Sequence, residues 1–562
     1  MIKKYFNLFF SMIACLFLCS CVGIDSGGKF DDFTNDFFTS ELASNTMNLH
    51  FTLSNPDAHG LADCQASLGH ISDEARQNEK NQLEDYADFL DSINFNSLSK
   101  KQQLDYEVLS DFVSTELALN DYYFYQEILS PSGGIHIQLP LLLAEYRFDS
   151  KKDIENYLSL ISLYDSYFRE IADFEKTKAK KGLFMNDSLC VQVLKECENF
   201  IDKPDENYLL SSFEKRINDA DFLSDNEKEK LILKNKAVVQ KHVFPAYENL
   251  IKTLTNLLGS GRNDGGLCFF KDGKKYYELL VYKETGCSES VDEINKMISE
   301  SRNNALKEMK NLLSKSSDLA KRCENYEWNY KDENEMIEVL KKAIKKDFPA
   351  VCDSKCNVCF VDESLSEELA PAFYITAPLD DYYDNYIYIN DAKDYSNIKY
   401  FTTLAHEGYP GHLYQTVMSY NYGLSPFRSL LNYGGFTEGW ATYTEMLSYH
   451  YAGLDEDVAS FLQLNQEATL SLYASSDIGI HYLGWNFEDM CKLWNEFGIT
   501  DDECIADIMD YIISEPGNYL KYYVGYLKFK QLKATDSNSM AFHEAVLKIG
   551  PAPFDIVEKY LK

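Results

Sequence analysis

The chain has 562 residues, 45% of them hydrophobic and 25% charged, and a formal net charge of −35. This composition supports a large ordered core and excludes a wholly disordered protein. So acidic a surface repels phosphate backbones and anionic headgroups, which argues against nucleic acid as a partner and against a basic patch as a membrane anchor.

The first residues carry Lys3 and Lys4, then an apolar stretch from Phe6 to Leu18, then Leu18-Cys19-Ser20-Cys21. This resembles a bacterial lipoprotein signal, cut before Cys21, whose thiol and new amino group take acyl chains that hold the protein on a membrane. The apolar run is short for a bilayer span. The resemblance implies a cell-membrane lipoprotein on the extracytoplasmic face, with residues 1–20 removed and 21–32 forming the lipidated Cys and a flexible tether. Loss of residues 1–20 removes two lysines and no acid, so the net charge becomes −37.

Residues 33–258 read as an N-terminal helical half, with apolar residues recurring every three or four positions, as in Ile154-Tyr157-Leu158-Leu160-Ile161. Gly259 to Gly266 is rich in Gly, Ser and Asn and reads as a connection to a catalytic half, 259–562. Helical periodicity resumes over 291–313 and 336–348, where Pro349 stops it. Cys359-Phe360-Val361-Asp362, Phe373-Tyr374-Ile375-Thr376 and Tyr386-Ile387-Tyr388-Ile389 are short aromatic or β-branched runs bounded by turn residues, and predict a small sheet that can pair with an extended peptide. Helices are expected over 398–420, 438–451, 456–485, 486–497, 501–514 and 516–532. The fold class is therefore mainly α: a large helical body with a deep cleft and a small β-sheet next to the metal helix.

The chemistry concentrates in Thr402-Thr403-Leu404-Ala405-His406-Glu407-Gly408-Tyr409-Pro410-Gly411-His412. Two imidazoles and one carboxylate are the ligand set of a catalytic zinc with one open position, and a Glu beside the first His can take a proton from water. The usual pair of His ligands lies at i and i+4 on one helical face. Here His406 and His412 are six apart, which an ideal helix would separate by about 120°. Pro410 removes a helical hydrogen bond and Gly411 accepts unusual dihedrals, so a distorted turn can bring the two together. Glu438 follows at the start of another helix as third ligand. Glu445, seven residues on, shares its face two turns later and can orient a ligand His.

Four segments occur in order: His-Glu-x-x-Pro-Gly-His from His406, Glu-Gly-Trp-Ala-x-Tyr from Glu438, Asp477 to Trp485, and Pro516 to Gly525. Together they resemble the bacterial family catalogued as domain of unknown function 885, whose members are mostly helical and are regarded as zinc peptidases related to the gluzincins. The resemblance implies Zn²⁺ ligands His406, His412 and Glu438, Glu407 as general base, and His481 and Tyr522 as donors to the developing oxyanion. Tyr523 adjoins Tyr522, and the sequence leaves open which of them faces the cleft. The implied activity is hydrolysis of peptide bonds, in short peptides if the cleft is deep. The alternatives are a zinc hydrolase of another amide or ester, and a non-catalytic peptide-binding lipoprotein.

The remaining histidines, His50, His59, His70, His242, His450 and His543, read as hydrogen-bonded structural residues, and so does His136 after a Gly-rich turn. Cys352, Cys356 and Cys359 cluster without a fourth partner, so buried or locally paired thiols are expected rather than a metal knuckle.

Overall fold

The computed structural model describes residues 26–131, 133–263, 265–361, 371–390 and 397–562. The signal sequence and Cys21 lie outside these residues, as does Asp362. Helices dominate, joined by one three-stranded sheet, so the chain is mainly α with a small β-sheet. Among the described residues no helix is long and apolar enough to cross a membrane.

The expected tether is shorter than residues 21–32, because Ser26–Ser44 is helical. Phe30, Phe37, Phe38 and Leu42 recur on one face and are each 1–3% exposed, so burial of that apolar stripe orders the segment despite Gly27 and Gly28. Helices through Leu119 share their core with residues 267–557, whereas a second core is built mostly from residues 129–254. The 259–266 connection therefore does not coincide with a division between cores. All eleven described cysteines are free thiols.

In the sheet, β1 (Lys355–Phe360) and β3 (Asp384–Ile389) are parallel, and β2 (Ala372–Ile375) adds antiparallel to the other side of β3, giving the order β1-β3-β2. Asn385, Ile387 and Ile389 alternate inward, the period-2 pattern of a strand with one buried face. β2 is left as an edge strand beside the Asn397–Glu407 helix.

The deepest contact joins the Gly434–Ser448 helix to the Asn518–Ala534 helix. A Cβ on Gly439 would lie 2.5 Å from the Cα of Gly525, and one on Gly525 would lie 2.1 Å from the carbonyl oxygen of Gly435. The backbones touch because these three positions carry no side chain. Glu438 and Tyr522 project from the two touching helices, so this approach sets their separation.

The second helix begins at Asn518 rather than at Pro516. Gly517 precedes it at φ +80°, a conformation that disfavours side chains, and gives its N–H to buried Asp477 at 2.9 Å. Asp477 also accepts from the Tyr277 hydroxyl at 2.5 Å. Burial raises its carboxyl to about 7, against the hydrogen bonds that favour the charged form.

Gly439→Ala is expected to force the two helices apart and cost about 1–3 kcal/mol. Gly28→Ala, whose Cβ would meet no atom within 4 Å, serves as the control and should melt no lower than the parent. Equal thermal midpoints for Gly439→Ala and the parent would remove the close-contact account.

Candidate metal centre

The expected single kinked helix over 398–420 is two helices, Asn397–Glu407 and His412–Asn421, separated by four residues. The break is pinned from three sides. Gly408 N–H donates to Leu404 at 2.9 Å, the last helical bond, and Gly411 N–H reaches back to Ala405 at 2.9 Å. The indole of Trp440 donates to the carbonyl of Pro410 at 2.8 Å. Only glycine fits at 411, since a Cβ there would lie 1.8 Å from the carbonyl oxygen of His406. The Tyr409-Pro410 bond is cis.

This reversal returns His412 to His406, their ring centroids 4.9 Å apart and nearly perpendicular. Glu438 Oε2 lies 3.2 Å from His412 Nε2 and 3.6 Å from His406 Nε2. One ligand atom from each of these three residues falls within 4.8 Å of the others, the only such group of three His, Cys, Asp or Glu side chains among the described residues. Ligands at about 2.0–2.2 Å around a tetrahedral ion stand roughly 3.4 Å apart, so the triad fits zinc.

Glu445 holds His406 from behind, its Oε2 3.1 Å from Nδ1, which leaves Nε2 aimed at Glu438. Lys399 and Gln466 hold the other Glu445 oxygen at 3.2 and 3.5 Å. Burial alone would raise the Glu445 carboxyl, but Lys399 and His406 overcome it and hold it at about 2. Burial likewise would lower His406, yet the carboxylates of Glu438 and Glu445 lift it to about 10. Burial opposes ionisation of Glu438 too, and the two imidazoles hold it well below the carboxylate range. Glu407 differs: burial raises its pKa, the imidazoles only partly offset this, and one oxygen accepts the Tyr374 N–H of β2 at 2.9 Å. It is the carboxyl of the three whose proton affinity is raised, which suits a base.

Tyr522 also reaches the site, its ring 6.3 Å from that of His406. Burial, then the nearby Glu438, push its phenol well above the usual range, so it stays a protonated donor. Its hydroxyl makes no hydrogen bond among the described residues. Tyr523 points elsewhere and is fully buried. His481 is not brought to the cluster. It sits in a π-helical turn, Gly479–Leu483, with 0% exposure; Nδ1 accepts from Leu267 N–H at 3.2 Å and Nε2 lies 2.8 Å from the Ile512 carbonyl. With both nitrogens committed to backbone, it bridges chain segments instead of serving an oxyanion. The same structural use holds for His50, stacked on Tyr146, for His136 beside Glu196, and for His543 stacked on Phe348.

Sequence reasoning passed over Lys399 and Tyr374. Lys399 had a signal: it precedes His406 by seven residues, two turns on the same face. Tyr374 had none, because it acts through its main-chain N–H.

Fold and site together define a helical protein in which two histidines and a glutamate converge, placed as a metal could be held, beside a further buried carboxyl, Glu407. The chain belongs to the family of bacterial proteins of unknown function DUF885, matched over residues 57–561. Among solved structures it is similar to a candidate lipoprotein from Colwellia psychrerythraea, with 18% identity and a TM-score of 0.84, covering 96% of this chain and 99% of that one. A candidate lipoprotein of unknown function from Shewanella oneidensis is 17% identical with a TM-score of 0.62, covering 94% and 99%. At these identities the likeness concerns the fold. No curated protein matches.

In the metal-free protein His406 is raised from 6.5 to about 10, so its contribution to stability is complete below pH 6.5 and is lost as pH climbs through 10. Zinc uptake near pH 8 should therefore release about one proton, read as a calorimetric enthalpy that varies with buffer ionisation. Glu445→Ala should weaken zinc binding roughly 10–100-fold. Unchanged affinity would free Glu445 of any part in orienting His406.

Proposed function

We propose that this protein is a zinc-dependent peptidase that hydrolyses peptide bonds in short peptides, held on the extracytoplasmic face of a membrane by acyl chains on Cys21. The observation that carries the reading is the convergence of His406, His412 and Glu438, with Glu407 beside the first ligand and held by its own backbone contact. The His-His-Glu set would hold the ion, and when bound zinc supplies Lewis acidity and lowers the pKa of water toward 7. Anchoring is supported by the Leu-Cys-Ser-Cys ending of the signal and by relatives of the same fold described as candidate lipoproteins.

The chain's own groups divide the remaining work. Glu407, pointed by the Tyr374 N–H, accepts a proton from the attacking water and passes it to the amine nitrogen as the C–N bond breaks. The water oxygen ends on the acyl carbon, giving one carboxylate and one amine. The Tyr522 phenol, protonated at neutral pH, can donate to the carbonyl oxygen as it gains charge. Edge strand β2, beside Glu407, offers main-chain groups to an extended substrate.

Glu407→Gln should retain zinc and lose cleavage of a mixed peptide library by roughly 10²–10⁴-fold. Tyr522→Phe should lower kcat by about 10–10³-fold with less change in KM. Metal analysis with mass-spectrometric product mapping checks both. Full activity of Glu407→Gln would remove it from the mechanism, and cleavage of acyl esters with every peptide intact would transfer the reading to another hydrolase.

A further inference from the structure

Gly434 begins the helix that carries Glu438, Gly517 caps the one that carries Tyr522, and Glu284 packs against both. A Cβ on Gly434 would lie 3.5 Å from Glu284 Oε2, and one on Gly517 would lie 3.2 Å from its Cγ. Gly434 stands four residues, one turn, before Glu438 on the same face, where Cβ positions are about 5–6 Å apart. Glu284 Oε2 is therefore within about 9.5 Å of the Glu438 Cβ.

From this position Glu284 looks into a cavity of about 230 Å³, lined also by Glu79, Glu116, Glu127 and Glu515. Three of those carboxylates are committed: Glu127 to Lys178 at 2.6 Å, Glu116 to Lys283 at 2.8 Å, and Glu515 to the Ser130 hydroxyl. Glu284 takes no hydrogen bond or ion pair among the described residues. Protein encloses it on almost every side, yet its oxygens keep accessible surface, as they do at the floor of a cavity. Burial raises its carboxyl, Lys521 and Lys283 offset part of this, and Glu116 and Glu438 add to it. A carboxylate so placed is costly unless a positive donor meets it. A metal ion is a poor fit, because among the described residues only His406, His412 and Glu438 bring three ligand atoms within 4.8 Å of one another. A compact cation with several N–H donors fits better. Glu79, Glu116 and Tyr123 are shared with a larger cavity of about 810 Å³, so the rest of a peptide has room to follow.

We propose that Glu284 and the cavity around it form a subsite for an ammonium group of the substrate. The proposal rests on the peptidase reading and narrows it. An extended residue spans about 3.3–3.6 Å, so an ammonium held by Glu284 lies within about three residues of the His-His-Glu triad. Two sources supply that chemistry, the α-amine of the first residue and a Lys side chain.

The test uses the zinc-loaded full chain and three peptides of one Lys-free sequence: with a free N-terminus, with an acetylated one, and acetylated with Lys as first residue. At least one of the two cationic peptides should be cleaved with kcat/KM roughly 10–100-fold above the neutral one. Preference for the free N-terminus assigns the α-ammonium, and preference for the acetylated Lys peptide assigns the side chain. Equal cleavage of all three by the parent overturns the subsite. Glu284→Gln should collapse the cationic-to-neutral ratio toward unity and Glu284→Asp should keep part of it, with zinc content and melting midpoints confirming that both fold. An unchanged ratio in Glu284→Gln overturns the assignment to Glu284. If no peptide is cleaved, the peptidase reading fails, and calorimetric titration with alaninamide and its N-acetyl derivative decides the cavity alone. Tighter binding of the cation, lost in Glu284→Gln, then supports an ammonium site, and equal binding overturns it.

Discussion

The contact on which the site depends is the seat of Gly411 against the carbonyl of His406, a space that a methyl group would fill. Without it the chain would continue as a helix and carry His412 to another face. With it the helix ends after Glu407, reverses over four residues and restarts at His412, so the two imidazoles come from two helices and approach from different directions. Trp440 joins this reversal to the helix that bears Glu438, so that carboxylate is indexed to the same turn.

Several ionisable groups are then held below the surface together, and burial acts against the charge on each. Glu438 and Glu445 remain ionised because imidazoles and Lys399 face them, and His406 remains charged in the absence of metal because two carboxylates face it. A buried network of this kind adds little net stability and leaves a strong need for positive charge at its centre. Glu407 is tied to β2 through the Tyr374 N–H, and burial raises its proton affinity, which the two imidazoles and that hydrogen bond only partly offset.

The surrounding architecture serves to hold these distances. Gly435, Gly439 and Gly525 bring two helices into backbone contact, which sets Tyr522 against the His-His-Glu triad. Asp477 fixes the start of the Tyr522 helix through the Gly517 N–H, and His481 bridges two backbone segments nearby. The motif around residues 477–485 thus has a use in positioning, although its histidine does not reach the His406–His412–Glu438 cluster.

Much of this was legible in residue order. Periodicity marked most helices, alternation marked the strands, and the His406, His412 and Glu438 set that ligand chemistry singled out does converge in the structure. The spacing of six also demanded a break, and Pro410-Gly411 stood where it had to be. What the order of residues left open was settled by packing: that His481 would spend both nitrogens on backbone, that Tyr522 and not Tyr523 would turn inward, that Gly27 and Gly28 would lie in a helix, and that a main-chain N–H from β2 would aim Glu407. Local pattern determined which groups were available, because chemistry belongs to the residue. Only the tertiary structure decided which of them meet, because a side chain's direction depends on helices and strands that contact it from distant parts of the chain.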